Sequence, residues 1–107
     1  LCITMFSCSE EQFGGLGIEV PAGPEKVGKN NPFIIVNVYE GGPGHQAGLK
    51  EGDAIISVDG VPVDGLSCDY VVNNLLRGKV GSVATLEIKR GETFMLFRVI
   101  RGKIVLK

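Results

Sequence analysis

The stretch of twenty residues from 41 to 60 constrains the fold more than any other part of this chain. Pro43 suits the first position of a helical turn, where its missing N–H costs nothing. Gly48 suits the left-handed position that ends such a turn. Asp59-Gly60 is a strong hairpin signal after an apolar run. The stretch therefore predicts a short helix over 43–47, a turn, and a strand over 54–58.

The rest of the chain alternates apolar and polar residues as half-buried strands do. One further helix is predicted over 68–77, because Ser67 is a good N-cap and Gly78 a good terminator. Residues 21–32 have no apolar period and predict a long mobile loop. The other predicted strands cover residues 1–6, 16–20, 33–39, 83–89, 93–100 and 103–106. This order predicts a mostly β fold, a small antiparallel β-barrel or sandwich capped by one short and one longer helix.

Composition excludes several classes of function. The chain has 107 residues, enough for one domain, and 44% of them are hydrophobic. With 11 basic and 12 acidic side chains there is no basic face to bind nucleic acid. No apolar run approaches the roughly 20 residues of a membrane-spanning helix. The sequence therefore predicts neither a nucleic-acid partner nor a membrane span.

Catalytic and metal-binding patterns are missing from the sequence. Three cysteines and the single His45 show no metal-ligand spacing, so no metal or other cofactor is expected. Ser57 and Ser67 have ordinary structural explanations and no His/Asp or Lys partner at a recognisable spacing. We therefore expect that this chain is not itself an enzyme.

The N-terminal segment, residues 1–12, permits two interpretations. Its apolar start predicts a strand, but an apolar run that ends in Ser7-Cys8 also matches the end of a bacterial lipoprotein signal, with Cys8 as the lipidated residue. Cys2 and Cys8 could pair, although free or buried thiols are favoured for all three cysteines, Cys68 included. We place the domain boundary after this segment and the folded domain at 13–107.

Two motifs resemble PDZ domains. The stretch 41–60 is similar to their centre, where Ala-Gly-Leu and Gly-Asp link a short helix to a strand. Residues 13–18, Phe-Gly-Gly-Leu-Gly-Ile, are similar to their carboxylate-binding loop, which typically ends in Gly-Leu-Gly-Phe or Gly-Ile-Gly-Ile. Successive N–H groups in a glycine turn form an anion site, and an unpaired strand edge accepts an extended peptide. The resemblance covers almost the whole chain and implies a peptide-binding module.

The resemblance also implies a set of site residues. The N–H groups of Leu16, Gly17 and Ile18 would face a peptide carboxylate. Cys68 takes a helix position that is commonly His in eukaryotic members that prefer Ser or Thr in the peptide, so that preference is not implied here. The predicted peptide-binding residues are Gly15, Leu16, Gly17, Ile18, Val20, Cys68, Val72 and Leu75, with Val71 and Leu76 as substitutes if the helix register differs by one.

Within PDZ domains, the chain is most similar to the bacterial, protease-associated type of tail-specific (C-terminal processing) serine peptidases. These PDZ domains are circularly permuted, and their final strand takes the edge position of the usual first strand. They capture substrate tails for a separate catalytic domain, so the resemblance implies C-terminal or extended hydrophobic peptides as partners. It also implies a protease domain in the same polypeptide and an extracytoplasmic location in the periplasm or cell envelope.

Two features of the sequence depart from the family pattern, and one alternative function remains. The loop 21–32 is long and polar for this family, and the helix is about one residue longer than the family norm. The alternative function is a structural or assembly domain of a secretion or lipoprotein system. In that case its own chain, through residues 1–6 or 103–106, or a partner subunit would fill the groove.

Overall fold

The computed structural model describes residues 13–102, so the predictions for residues 1–12, for Cys8 and for the strand over 103–106 lie outside it. All strand pairs are antiparallel, in a four-stranded sheet of order β5-β4-β7-β8 and two short pairs, β1-β6 and β2-β3. The elements are β1 (Phe13–Gly14), β2 (Ile18–Glu19), β3 (Asn37–Val38), α1 (Pro43–Ala47), β4 (Ala54–Val58), β5 (Val61–Pro62), α2 (Cys68–Tyr70) with the π-helical π1 (Val71–Leu76), β6 (Gly78–Lys79), β7 (Val83–Arg90) and β8 (Thr93–Ile100). The predicted fold class, mostly β with two helices, is confirmed.

The hairpin β7-β8 is the most regular part of the fold. It pairs without interruption from Val83↔Ile100 to Arg90↔Thr93. Ala84, Leu86 and Ile88 point inward and are fully buried, as the alternating sequence predicts. Strand β8 lies at the edge of the four-stranded sheet.

The centre of the chain folds as its turn residues predict. Helix α1 begins at Pro43 and ends at Gly48, whose φ of 104° is left-handed. Asp59 and Gly60 both have positive φ, 52° and 84°, which is the geometry of a tight hairpin turn between β4 and β5. The Asp59 carboxylate also accepts the Thr85 N–H at 2.8 Å, which joins this turn to β7.

The longer helix is regular only in its first turn. The Ser67 hydroxyl accepts the Tyr70 N–H at 3.1 Å, so the predicted N-cap is confirmed. From Val71 to Leu76 the backbone is π-helical, and Arg77, predicted to be helical, is extended. A π-helix places more residues in each turn than an α-helix. We refer to residues 68–76 as the groove helix.

Buried side chains from both ends of the described chain form one hydrophobic core. Phe33 and Ile35 enter it from the segment before β3, whose backbone also bonds to residues 53–55. The loop 21–32 contributes Val27, which is 7% exposed and whose N–H donates to the Leu66 carbonyl at 2.8 Å. The mobile loop expected from the sequence is therefore packed onto the domain, because a single apolar side chain within it reaches the core.

A buried ion pair links the turn after α1 to the end of β7. Asp53 is 1% exposed, and its carboxylate accepts two bonds from the Arg90 guanidinium, at 2.7 and 2.8 Å, and one from the Lys50 N–H at 2.9 Å. Burial by itself raises the pKa of Asp53, but the bonds from Arg90 and Lys50 outweigh it, so that this pKa is lower than usual. The same pairing raises the pKa of Arg90.

The lowered pKa of Asp53 predicts how stability depends on pH. The ion pair adds its full contribution to the free energy of unfolding above about pH 4, the pKa of Asp in an unfolded chain. This contribution is lost as the pH falls through the lower pKa that Asp53 has in the folded protein. Asp53→Asn should reduce the free energy of unfolding by about 2 kcal/mol at neutral pH, less than a fully buried pair would lose, because Arg90 can be hydrated. Urea unfolding across the acid range should show the two proteins converging at low pH. The exposed Asp64→Asn is the control, and a gap that stays constant with pH would contradict the prediction.

Candidate functional site

The glycine loop, residues 14–17, is held by backbone bonds at both of its ends. Gly15 and Gly102 exchange N–H···O=C bonds of 3.0 and 3.1 Å. The Leu16 carbonyl accepts the Gly44 N–H of α1 at 2.7 Å, and Gly17 has a φ of +70°. A Cβ at Gly17 would lie 2.9 Å from Pro43 Cδ, so both the conformation and the space require glycine. The loop is thus built against the start of α1.

The loop directs its carbonyls into the protein, and after Gly15 its N–H groups have no backbone partners among residues 13–102. Among residues 13–102, the N–H groups of Leu16 and Gly17 donate to no backbone carbonyl. The Tyr39 N–H donates to the Gly17 carbonyl at 2.9 Å, which makes Ile18↔Val38 a pair without direct hydrogen bonds. The N–H and carbonyl of Ile18 therefore point away from β3. Three successive residues present N–H groups that an anion could use.

The resemblance assigns the peptide groove to the space between β2 and the groove helix, and backbone contacts join these two elements at both ends. At one end β1, which leads into the glycine loop, pairs with β6 through Gly14↔Gly78 directly after the helix. At the other end Gly23 bonds to Asp69 in the first turn of the helix, with the Asp69 N–H donating to the Gly23 carbonyl at 3.0 Å. The strand edge and the helix therefore run in opposite directions along a short groove.

Comparison with known proteins identifies the family. The family model described as "PDZ domain" matches residues 34–90. The chain belongs to the PDZ domain family. The glycine loop precedes the matched residues.

Relatives of this PDZ domain are C-terminal processing proteases. A probable CtpA-like serine protease of Staphylococcus haemolyticus is 36% identical over 88 residues, which is 82% of this chain and 18% of that protein. The carboxy-terminal processing protease CtpB of Bacillus subtilis is 34% identical over 100 residues, 92% of this chain and 19% of that protein. The chain therefore spans about a fifth of the length of these curated relatives.

A solved structure of similar size shows the same architecture. The PDZ domain of a carboxy-terminal protease from Vibrio cholerae, in complex with a peptide, has a TM-score of 0.70 and 29% identity. The match covers 89% of this chain and 99% of that one. The predicted likeness to PDZ domains of C-terminal processing peptidases is therefore confirmed.

The predicted residues of the groove helix differ in burial from their substitutes. Val71 and Leu76, the substitutes, are buried in the core at 0% and 5% exposure. Val72 and Leu75 are only partly buried, as are Ile18 and Val20 on β2. Val72 and Leu75 therefore lie at the margin of the core, whereas Val71 and Leu76 lie inside it.

Two of the predicted site residues are more buried than the others. Leu16 is 3% exposed and packs in the core beneath the glycine loop. Cys68 is 2% exposed, and burial raises the pKa of its thiol, as do the carboxylates of Glu25 and Asp69. The Cys68 thiol is therefore neutral at physiological pH and is not presented to the groove in this structure.

Arg101 is a positioning residue that the sequence analysis did not single out. It is 6% exposed, and its guanidinium donates to the Leu76 and Leu75 carbonyls at 2.8 Å each and to the Ser82 hydroxyl at 3.0 Å. It satisfies carbonyls at the C-terminal end of the groove helix, which otherwise lack intrahelical donors. The signal that could have identified it is a charged residue at an inward-facing position of the alternating 93–101 segment.

Three other kinds of site were considered: a pocket away from β2, a metal site and a membrane-spanning helix. A hollow of about 490 Å³ between α1 and β8 is lined by none of the predicted site residues, and it includes Pro43, Ala47, Arg98 and Ile100. In the described part of the chain, no cluster of His, Cys, Asp and Glu could hold a metal ion. None of its helices has the length and apolar character needed to cross a membrane.

Proposed function

We propose that this PDZ domain binds hydrophobic C-terminal tails of proteins by strand addition. The carboxylate would accept hydrogen bonds from the N–H groups of Leu16, Gly17 and Ile18. The tail would pair with the edge of β2 that faces away from β3, and its last side chain would lie between Ile18, Val72 and Leu75. The observation that carries this proposal is that the N–H groups of Leu16 and Gly17 have no backbone partner within residues 13–102 and that of Ile18 points away from β3.

The relatives of the domain support a proposal about its biological setting. We infer that it recognises substrates for a larger serine peptidase, whose catalytic domain belongs to the same polypeptide. The names of the relatives and the peptide in the Vibrio cholerae complex support this assignment. An extracytoplasmic location belongs to the same proposal.

One observation favours the alternative in which the chain fills its own groove. The mutual bonds between Gly15 and Gly102 bring the end of the described chain beside the glycine loop. An assembly domain with a self-occupied groove would not bind free peptides. A peptide titration therefore distinguishes the two functions.

The test is an amide chemical-shift titration with two peptides that end in a branched hydrophobic residue, one with a free carboxylate and one amidated. We expect Leu16, Gly17 and Ile18 to shift with the free acid and much less with the amide. Val72→Ser should weaken binding about tenfold because it removes apolar surface from the groove, whereas Asn73→Ser, an exposed neighbour, should not. Equal shifts with both peptides would contradict recognition of a carboxylate, and no shifts with either would favour the assembly domain.

A further inference from the structure

Strand β8 leaves the backbone groups of one edge unpaired along most of its length. In a two-residue hairpin the pair that flanks the turn, here Arg90↔Thr93, exchanges hydrogen bonds, so the odd-numbered residues of β8 bond to β7. The N–H and C=O groups of the even-numbered residues point away from β7. Within residues 13–102 these groups form no other backbone bond. The residues concerned are Phe94, Leu96, Arg98 and Ile100.

The side chains of these residues lie on the outer face of the sheet. Leu96 is 71% exposed, Ile100 61% and Phe94 58%. Many proteins protect a free sheet edge with a short strand, a bulge or a proline. Strand β8 has eight residues, contains no proline and pairs with β7 without interruption, and its one outward-facing charge is Arg98. The opposite edge of the sheet is protected, because β5 has two residues and one of them is Pro62.

The glycine loop limits how far another strand can pair with this edge. Gly102 uses the same edge, but it exchanges backbone bonds of 3.0 and 3.1 Å with Gly15. A strand added to β8 must therefore end at Ile100. Beside this end lies the hollow of about 490 Å³ between α1 and β8, whose charged lining residues, Arg98 and Arg101, are both basic. The hollow has room for a turn and favours an acidic one.

A second copy of this chain satisfies these limits. With Leu96 on a two-fold axis, Leu96 faces its own counterpart and Phe94 faces Arg98 of the second copy. All facing residues are even-numbered, so unpaired N–H and C=O groups of one copy meet those of the other. The apolar side chains then share one face, and no like charges lie directly opposite each other. Moving the axis to Phe97 would place the hairpin turn of the second copy where Gly15 already lies.

The same pairing brings opposite charges together. Glu92, in the turn between β7 and β8, would face Ile100 of the second copy and lie diagonal to its Arg98. Diagonal neighbours on a sheet are about 7–8 Å apart, within reach of two long side chains. Glu92 and Arg98 are exposed, and in the described part of the chain neither forms an ion pair. The two-fold axis makes this contact twice and places each acidic turn beside the basic hollow of the other copy.

We propose that β8 is a homodimer interface, in which two copies join their four-stranded sheets into one antiparallel sheet with Leu96 at the two-fold axis. The assembly stops at two copies, because the symmetry operation pairs each β8 edge with the other. The interface uses one strand from each copy and is small, so the expected Kd is on the order of tens of micromolar. The inference does not depend on peptide binding, since β8 contains none of the predicted site residues.

The test is sedimentation equilibrium of the whole chain of 107 residues across a range of concentrations that spans this Kd. We expect the mean mass to rise from one copy towards two. Leu96→Glu places two carboxylates at the axis and should raise the Kd at least about tenfold. Val61→Glu is the matched control, because Val61 is an exposed apolar residue at the opposite edge of the same sheet, and it should leave the Kd unchanged.

Charge reversal tests the pairing between the two strands. Glu92→Arg and Arg98→Glu should each raise the Kd about fivefold, because like charges then meet at the diagonal contact. The protein that carries both substitutions should return to within about twofold of the native Kd, since the opposite charges meet again. In the native chain, exchange of the Leu96 amide hydrogen should slow as the concentration rises. An amide spectrum checks that each variant is folded.

Each outcome bears on the dimer alone. A chain that stays monomeric up to about 1 mM would overturn the proposal. Self-association that Leu96→Glu and Val61→Glu change equally would place the contact elsewhere and overturn it as well. If Leu96→Glu separates the copies but the double charge reversal recovers no affinity, the pairing with Leu96 at the axis is wrong. The peptide titration tests the proposed function independently of these results.

Discussion

Replacing Arg101 with alanine is expected to lower the free energy of unfolding by about 3 kcal/mol, because two helix-end carbonyls and one hydroxyl lose a charged donor. The Leu76 carbonyl is bonded inside the protein, where water cannot replace the guanidinium. Arg101→Lys should recover part of this loss, since one ammonium group cannot reach all three acceptors in the fork geometry of arginine. Chemical denaturation of the three proteins at neutral pH measures the difference.

The control for Arg101 is Arg98, which precedes it by three residues and is exposed. Arg98→Ala should change the free energy of unfolding by less than about 0.5 kcal/mol. Because Arg101 acts on the end of the groove helix, its loss should also weaken peptide binding at temperatures where the variant is still folded. An Arg101→Ala protein as stable as the Arg98→Ala protein would show that these bonds do not hold the helix.

Replacing Gly44 with alanine is expected to destabilise the domain by about 2 kcal/mol and to weaken peptide binding about tenfold. Helix propensity alone would predict the opposite effect, a gain in stability of up to about 1 kcal/mol. A Cβ at Gly44 would lie 2.9 Å from the Leu16 carbonyl oxygen and 2.8 Å from Ile18 Cγ2. Because the Leu16 oxygen is a backbone atom, the glycine loop itself must move away from α1. The N–H groups that would bind the carboxylate move with it.

Gly28 provides the matched glycine control. Its φ is not in the left-handed region, and the nearest atom to an added Cβ is 4.0 Å away, at the Asp64 carboxylate. Gly28→Ala should therefore leave binding unchanged and leave stability equal or higher by about 0.5 kcal/mol. Unfolding and peptide titration of both variants provide the comparison. If Gly44→Ala is neutral in both measurements, the contact between α1 and the glycine loop does not position the site.

The parts of the fold that were predicted correctly depend on neighbouring residues. Gly48 takes a left-handed conformation because glycine has no Cβ to clash there. Asp59-Gly60 forms a hairpin turn because Asp and Gly accept the positive φ that this turn requires. Ser67 caps the helix through an N–H only three residues away. The alternation in β7 and β8 reports burial directly, since successive side chains of a strand face opposite sides. These signals were sufficient for the fold class and for the location of the glycine loop.

The features that sequence reasoning missed depend on contacts between distant residues. Asp53 and Arg90 are 37 residues apart, Arg101 and Leu76 are 25 apart, and Gly23 and Asp69 are 46 apart. The composition of residues 21–32 predicts a polar loop, yet backbone groups of this loop bond to the start of the groove helix. The periodicity of residues 68–77 fits an α-helix, so it could not show the π-helical turn over Val71–Leu76.

By itself, the sequence determined the turns, the strand alternation, the helix cap and the glycine loop, because each is set by the conformational preferences of a few adjacent residues. Only the tertiary structure decided which side chains of the groove helix are buried, how the loop 21–32 packs against the start of that helix, and why Arg101 is buried. Those features exist because buried polar groups must find hydrogen-bond partners wherever the fold brings them together, and local sequence does not specify that partner.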